Sequence, residues 1–286
     1  MDNKPLAKVS EQYFFRQLLS LLPELCQKSN NWQNGWEKIA IGMITFVFGE
    51  IIFSATLNDL EAQIIPDHTL GEENSLVTPQ QLRDLIEGGA IRHHNLFHSF
   101  QEFNVNEGQT VYFANPQGIE NILTRVTGSN PSQIFGTLGV DGAANLILIN
   151  PHGIHFGSNA VLDVTGSFFA TTANNIIFAN GEEFSATNPQ APPLLKINIT
   201  PGLQYGAIPP ESRISNTGNL SAGQDLSLIA GNLDLQGQLQ ANRNLILQAI
   251  ETVKILDSTT NPFVATAGEF WTSNVYWGGS SILSSI

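Results

Sequence analysis

Histidine side chains are the first residues in this chain whose type and spacing could carry chemistry. His93, His94 and His98 lie close together, and the last two would share one face of a helix, where side chains can bind a metal ion jointly. No cysteine and no cluster of carboxylates beside them completes a ligand set. We therefore expect no metal site and no cofactor.

Acidic side chains are the second group with chemical potential, because glycoside hydrolysis uses two carboxyl groups about 5–9 Å apart. Glu182 and Glu183 are adjacent, but their surroundings predict a turn. Four more acids flank short apolar runs and are expected at chain corners: Asp141, Asp163, Asp225 and Asp234. Gly-x-Ser-x-Gly, Walker and dinucleotide-binding motifs are absent. We expect no enzyme, and a carbohydrate-active enzyme stays open as the weaker alternative.

The most specific pattern is a turn, Asn-Pro-x-Gly-Ile, at positions 150–154. Asn150 suits the first position of a type I turn, Pro151 fixes φ at the second, and Gly153 takes the fourth. Strand alternation then places Ile154 and Phe156 on one face and His155 on the other. The candidate site residues here are Asn150, Pro151, His152, Gly153 and Ile154.

The same five-residue pattern occurs a second time, after the apolar run Val111–Phe113. Its candidate site residues are Asn115, Pro116, Gly118 and Ile119. Two copies in one chain indicate a pattern, whereas either alone would be an ordinary turn.

A short recurrence predicts the elements that must position these turns. An Asn or Asp followed by apolar-x-apolar begins at Asn145, Asn175, Asp225 and Asn244. The last two lie in a longer match of 218–228 with 237–247, a period of about 19 residues. No helix-forming run lies inside the repeat. Each repeat must then be all strand, which predicts an all-β parallel β-helix with an apolar interior and Asn, Gly and Asp at its corners.

Three segments depart from this repeat. Pro66 cannot donate a hydrogen bond to a ladder, so its strand is expected at an edge. Together with the aromatic segment 96–105, this strand is expected to cap the open N-terminal end of the repeats. Residues 196–206 alternate in polarity and predict a hairpin laid outside the repeats. Residues 269–286 are expected to be an irregular tail, which we interpret as a truncated end.

Composition excludes some partners. The formal net charge of −13, with only 13% charged residues, argues against binding to nucleic acid or to anionic lipid. The single cysteine, Cys26, excludes an internal disulfide.

The first 62 residues read as a leader. A helical patch at 14–25 precedes an apolar segment at 39–55, which is long enough for the core of an export signal. Ala62 and Gln63 mark the candidate cleavage point. An uncleaved anchor and a buried helix remain as alternatives, because Glu50 interrupts the apolar segment.

Four stretches together resemble the secretion domain of two-partner secretion (TPS) exoproteins of the filamentous-haemagglutinin type, also called the haemagglutination-activity domain. They are 63–71, 95–105, 122–132 and 149–154. The resemblance covers roughly 63–181 strongly and continues to about 268. The family's Asn-Pro-Asn-Gly-Ile motif falls on Asn150–Ile154 with His152 in the middle, and the nearest counterpart of its earlier Asn-Pro-Asn-Leu motif is Asn115–Gly118.

The resemblance implies a right-handed single-stranded parallel β-helix of the pectin-lyase-like kind over 63–268. It also implies export through the periplasm of a two-membrane bacterium, recognition by an outer-membrane β-barrel transporter with POTRA domains, and a secreted or cell-surface protein. Such a chain would be a monomeric secretion module of an adhesin that reaches host or neighbouring cells through a passenger missing here. A stand-alone surface adhesin or binding module is the alternative.

Overall fold

The described residues fold into strands throughout. The computed structural model describes residues 64–179, 181–190, 204–256, 263–272, 275–278 and 282–285. These contain no helix, and therefore none that could cross a membrane. The all-β prediction is confirmed for this part of the chain. The predicted leader, with its helical patch, its apolar segment and Ala62 and Gln63, lies outside the described residues.

The described residues form 25 strands. In chain order they are β1 Ile65–Pro66, β2 Ser75–Pro79, β3 Asp84–Gly88, β4 Ala90–Arg92, β5 Asn95–Glu102, β6 Thr110–Ala114, β7 Asn121–Val126, β8 Ser132–Ile134, β9 Thr137–Asp141, β10 Asn145–Ile149, β11 Ile154–Phe156, β12 Val161–Asp163, β13 Phe168–Thr171, β14 Asn175–Ile177, β15 Glu183–Ser185, β16 Gln204–Tyr205, β17 Arg213–Asn216, β18 Asn219–Ala222, β19 Leu226–Leu235, β20 Gln238–Ala241, β21 Asn244–Leu256, β22 Val264–Ala267, β23 Glu269–Thr272, β24 Val275–Gly278 and β25 Ile282–Ser285.

Most strands pair in parallel within three ladders. The first runs β5, β7, β10, β13, the start of β19, the start of β21, and β23. The second runs β8, β11, β17, the end of β19, the end of β21, and β24. The third comprises β3, β6, β9 and β12, and in a separate sheet β18, β20, β22 and β25. From β7 to β12 the chain visits the first, second and third ladders in rotation.

The predicted repeat has the register that its sequence indicates. Asn219 pairs with Gln238, and Leu226 pairs with Leu245. The predicted repeat position at Asn175 is wrong, because β14, which begins there, pairs antiparallel with β15 and β16 outside the parallel ladders. Ser167 holds the corresponding ladder position, immediately before β13.

Two apolar clusters hold the strands together. Alternate residues such as Leu146, Leu148 and Phe156 point into the main core and are at most 1% exposed. The opposite face of the first ladder, at Leu123 and Ile147, is covered by the β14–β15–β16 sheet. Outward-facing positions that elsewhere would meet water are therefore buried here, which explains why these strands are apolar on both faces.

The N-terminal end is closed by antiparallel strands, as the sequence predicts for a cap. β1 and β4 both pair with β5, and β2 pairs with β3. Pro66 lies at the outer end of the large sheet, where its missing N–H leaves no ladder bond unmade.

The expectation of an irregular tail is wrong for the described part of 269–286. β23 and β24 pair in parallel with β21, and β25 pairs with β22. Phe270 pairs with Leu245 and provides the apolar residue at this ladder position. The repeat therefore continues, although the spacing between paired residues is longer here. Most of the predicted hairpin at 196–206 lies outside the described residues, and Gln204–Tyr205 forms β16.

Candidate functional site

The turn after β10 has the predicted geometry. The N–H of Gly153 donates to the carbonyl of Asn150 at 3.1 Å, which closes the turn. The N–H of His152 donates to Asn150 Oδ1 at 2.9 Å, so the side chain bonds the backbone two residues ahead. Gly153 has a φ of +119°, a conformation that residues with a Cβ rarely adopt.

The Asn150 side chain ties this turn to the preceding one. Its Nδ2 donates to the carbonyl of Asn130 at 3.1 Å and to Ser132 Oγ at 3.0 Å. Its backbone N–H donates to the carbonyl of Thr171 at 3.0 Å, on the next rung. Asn150 is fully buried, so these bonds satisfy polar groups that water cannot reach.

Burial leaves one accessible side chain in this motif. Asn150, Pro151, Gly153 and Ile154 are all buried, and only His152 is exposed. A Cβ added to Gly153 would lie 2.9 Å from the carbonyl oxygen of Arg213. The motif is packed between neighbouring rungs and shapes the corner between β10 and β11.

The second copy of the motif forms a different turn. Here the N–H of Ile119 donates to the carbonyl of Pro116 at 3.1 Å, so Pro116, and not Asn115, takes the first position. Gly118 takes the third position with a φ of +87°, which type II turns require. The two copies share four of their five residues, but their turns begin one residue apart.

The two turns also differ in how much of each is exposed to solvent. Pro116, Gln117 and Gly118 are exposed, whereas Ile119 is buried. The Oδ1 atom of Asn115 is buried and has no hydrogen-bond partner. The amide lies against Gly142, where any side chain would collide with it. Asn115 therefore does not cap its turn as Asn150 does.

A ladder of polar side chains runs up the corner before the first parallel ladder. Asn121 Nδ2 donates to Asn95 Oδ1 at 3.0 Å, and Asn145 Nδ2 donates to Asn121 Oδ1 at 2.9 Å. Ser167 N then donates to Asn145 Oδ1 at 2.8 Å. Asn95 and Asn121 were not singled out from the sequence, because His98 and Thr124 replace the apolar residue that ends the recurrence.

Asp225 continues this ladder with a charge. It accepts hydrogen bonds from the Arg243 guanidinium and from both the N–H and Nδ2 of Asn244. The bond from Arg243 is the main cause that lowers the pKa of Asp225, and burial opposes it. Both oxygens of this carboxylate thus accept hydrogen bonds within the fold.

Four of the other acids considered for catalysis are hydrogen-bonded as well. Asp141 accepts from Arg83 at 2.6 Å, Asp163 accepts from the hydroxyl of Tyr112, and Asp234 bonds Arg213. Glu183 accepts from the Nδ2 of Asn175.

A buried arginine joins three parts of the fold. Arg125 is 0% exposed and donates to Ser99 Oγ at 2.9 Å, Thr69 Oγ1 at 2.8 Å and the carbonyl of Ser185 at 2.9 Å. Burial lowers its pKa to about 10, and the charge of Asp67 opposes that change. Its contacts link the N-terminal cap, β5 and the outer β15 strand.

Asp67 is the counter-charge of this group. Burial alone would raise its pKa, but hydrogen bonds from Thr127, Thr69 and Ser99 outweigh burial and lower it. Thr69 and Ser99 each bond both Asp67 and Arg125, so two hydroxyls connect the half-buried carboxylate with the buried guanidinium.

The three neighbouring histidines are not brought together as ligands. His98 is fully buried, and its Nδ1 shares a hydrogen bond of 3.0 Å with Ser75 Oγ. Burial lowers the pKa of His98 to about 3, so the ring is neutral. His93 and His94 are exposed at the tip between β4 and β5. No group of three metal-ligating side chains occurs among the residues described.

A groove of about 290 Å³ lies beside the second ladder. Phe135, His155, Asn159 and Glu107 line it. Asn159 Nδ2 donates to Glu107 Oε1 at 2.5 Å, and the rings of Phe135 and His155 pack edge to face at 5.4 Å. A Cβ on Gly157 would lie 2.5 Å from Cδ1 of Phe135, so a side chain there would displace this ring.

Comparison with known proteins gives two matches. A family model described as the TPS secretion domain matches residues 62–267. The Heme/hemopexin-binding protein of Haemophilus influenzae is 26% identical over 145 residues, which is 51% of this chain. The match spans only 15% of the length of that curated relative.

Proposed function

The chain belongs to the TPS secretion domain family, and we propose that it leads an exoprotein to a transporter in the outer membrane of a two-membrane bacterium. The family match over 62–267 is the observation that carries this proposal. The ligand in the name of the Haemophilus influenzae relative is not transferred, because the match covers so little of that protein.

We further propose that residues 63–268 form a right-handed single-stranded parallel β-helix. The rotation of the chain through three parallel ladders supports this shape, as does the antiparallel cap at its start. Rungs of a solenoid contact only their neighbours, so they can form one after another. Such a fold suits a chain that leaves a transporter from one end and folds outside the cell.

The two Asn-Pro turns are proposed to act in different ways. Asn150–Ile154 is buried apart from His152, which supports a role in shaping the corner rather than in direct contact. The exposed residues Pro116–Gly118 are better placed for contact with the POTRA domains of the transporter.

Delivery to the periplasm is assigned to residues 1–62, with the apolar segment 39–55 as the export signal and cleavage between Ala62 and Gln63. Removal of this leader would remove Cys26 and leave a chain without cysteine. Such a chain cannot form a disulfide that would block its passage through an oxidising compartment.

Co-expression tests the proposal. The full chain is produced in a two-membrane host with and without a co-expressed TPS transporter from the source organism, and the protein in the medium is measured. We expect export only with the transporter, and N-terminal sequencing of the product should begin at Gln63. Equal amounts in the medium without the transporter would contradict the proposal.

A binding module is the second candidate function, and the groove at Phe135 favours it. An aromatic ring beside amide, imidazole and carboxylate groups is suited to a small polar ligand such as one sugar unit. A glycan array probed with the full chain and with Phe135→Ala tests this. Binding that is absent, or unchanged in the variant, would remove the candidate. Neither function requires an enzymatic reaction.

A further inference from the structure

The β14–β15–β16 sheet, called the outer sheet from here on, is closed at its base. It follows β13, and the chain rejoins the ladders at β17. The N–H of Asn174 donates to the carbonyl of Ala207 at 2.8 Å, and Ser212 Oγ donates to Thr172 Oγ1 at 2.6 Å. The outer sheet is therefore an excursion from the ladders whose two ends are bonded to each other.

The outer sheet covers the outward face of three successive strands of the first ladder, β5, β7 and β10. The ring of Phe184 packs against that of Phe97 in β5, with 4.9 Å between the centroids. The guanidinium of Arg125 in β7 lies 4.5 Å from the Phe184 ring centroid and donates to the carbonyl of Ser185. Ile147 of β10 belongs to the same buried cluster. The outer sheet thus joins rungs that would otherwise contact only their neighbours.

The outward face of these three strands is apolar, so its burial depends on the outer sheet. Four of its side chains are at most 2% exposed in the folded chain: Phe97, Leu123, Ile147 and Ile149. Without the outer sheet they would present a continuous apolar patch to water. The first three rungs therefore gain the burial of this face only when the outer sheet closes over it.

The order of the chain places this closure between the early and the late rungs. The ladder residues that form the cluster, from Leu70 to Phe169, all precede β14 in the chain. β17, the strand that begins the next rung, follows the outer sheet. A chain that emerges with its N-terminal end first can close the outer sheet once Tyr205 is outside, before β17 has formed.

We propose that closure of the outer sheet is the rate-limiting step in folding and commits the exported chain to the outside of the cell, an inference that rests on the proposed secretion function. Before closure, rungs held by ladder bonds alone can open one at a time. After closure, the N-terminal cap and the first three rungs open only together with the outer sheet, because Arg125 and Phe97 bind both. The later rungs then add to a completed template.

Refolding and unfolding rates of two matched variants of the full chain test this step. Phe184→Leu changes the outer sheet, and Phe263→Leu changes the main core beside β22; both side chains are at most 1% exposed. The rates are followed by circular dichroism after jumps in urea concentration. We expect Phe184→Leu to slow refolding by about fivefold with little change in the unfolding rate. Phe263→Leu should instead speed unfolding and leave the refolding rate unchanged.

Phe97→Leu changes the ladder side of the same contact and should slow refolding as Phe184→Leu does, because the Phe97 ring packs on both Phe178 and Phe184. Equal slowing by Phe263→Leu would overturn the proposal, and so would normal refolding of both Phe97→Leu and Phe184→Leu. These rates are measured without a transporter, so they decide the folding step independently of export.

Export connects the folding step to the secretion function. With a co-expressed TPS transporter, the rate at which protein appears in the medium should fall for Phe184→Leu by about the same factor as the refolding rate. Phe263→Leu should be exported at the wild-type rate. Wild-type export of a slowly refolding Phe184→Leu chain would overturn commitment by closure and leave transporter-dependent export intact. Failure of the wild-type chain to be exported would instead overturn the secretion function itself.

Discussion

The ring of Tyr112 lies over Gly139, where a side chain on the neighbouring strand would otherwise be. A Cβ on Gly139 would be 2.5 Å from Cε1 of that ring. Because Gly139 has no side chain, the Tyr112 side chain crosses β9 and its hydroxyl donates to Asp163 on β12. The bond to Asp163 raises the pKa of Tyr112 to about 12, and the Arg83 guanidinium lies 5.1 Å from the ring centroid.

Gly139→Ala should therefore destabilise the fold by displacing Tyr112 from its place across three strands. We expect a loss of about 1–3 kcal/mol in the free energy of unfolding, as for other overpacked sites, measured by urea denaturation. In a Tyr112→Ala background the same change should cost less, because the colliding ring is gone. Equal costs in both backgrounds would show that Tyr112 does not depend on Gly139.

Gly153→Ala should cost more than Gly118→Ala, although both glycines have a positive φ. At Gly118 nothing lies within 4 Å of an added Cβ, so only backbone strain of about 1–2 kcal/mol is expected. At Gly153 the carbonyl of Arg213 is 2.9 Å away, which adds a collision and brings the expected cost to about 2–4 kcal/mol.

Urea denaturation of the two variants side by side makes this comparison, with Gly118→Ala as the control for backbone strain. If both variants lost the same stability, the packing assigned to the buried Asn150–Ile154 turn would be wrong.

The sequence predicts the features that depend only on residues close together in the chain. The Asn150 turn follows from its own residues, because the asparagine side chain, the proline φ and the glycine all favour one geometry. The pairing of 218–228 with 237–247 follows from a repeat that keeps its length.

Contacts between distant segments decide the rest. At 115–119 the same Asn-Pro-x-Gly-Ile pattern forms another turn, because His94 Nδ1 donates to the carbonyl of Gly118 and Gly142 leaves room for Asn115. Arg125 could not be placed from its neighbours either, since Thr69 and Ser185 lie 56 and 60 residues away in the chain. Asn175 has the local pattern of the repeat, but it lies in β14, which pairs with β15 in the outer sheet over the first ladder.

Acid should destabilise the N-terminal rungs through His98. Its pKa is about 3 in the fold and 6.5 in the unfolded chain, so below 6.5 the unfolded chain binds a proton that the fold excludes. The contribution to stability is complete above pH 6.5 and is lost as the pH falls toward 3. Between pH 6 and 4.5 we expect a slope of about 1 kcal/mol per pH unit.

Urea denaturation at a series of pH values measures this slope. The side chains of Ser75, Phe100 and Phe113 contact His98, and none of them titrates in this range. His98→Asn should lower stability at pH 7 but flatten the slope. His155→Asn is the matched control, because burial lowers the pKa of His155 less, and most of the slope should remain. A steep slope retained by His98→Asn would assign the effect to other groups.

Arg125→Met should separate the cap from the outer sheet. The variant removes the hydrogen bonds to Thr69, Ser99 and Ser185, and it leaves the half-buried Asp67 without its counter-charge. Each buried acceptor left without a partner typically costs about 1–3 kcal/mol, and we expect a total loss of about 3–5 kcal/mol.

Hydrogen exchange locates the loss. Amides of residues 64–70 and 183–186 should exchange faster in Arg125→Met, because these two segments meet through the guanidinium and the Phe184 ring, whose centroid is 4.5 Å from Cζ. Amides of β20 and β22 should be unaffected, because rungs far from the cap do not contact it. The double variant Asp67→Asn with Arg125→Met should recover part of the stability, since no half-buried carboxylate then remains without a counter-charge. Uniform loss of protection along all the ladders would show instead that the cap and the later rungs unfold as one unit.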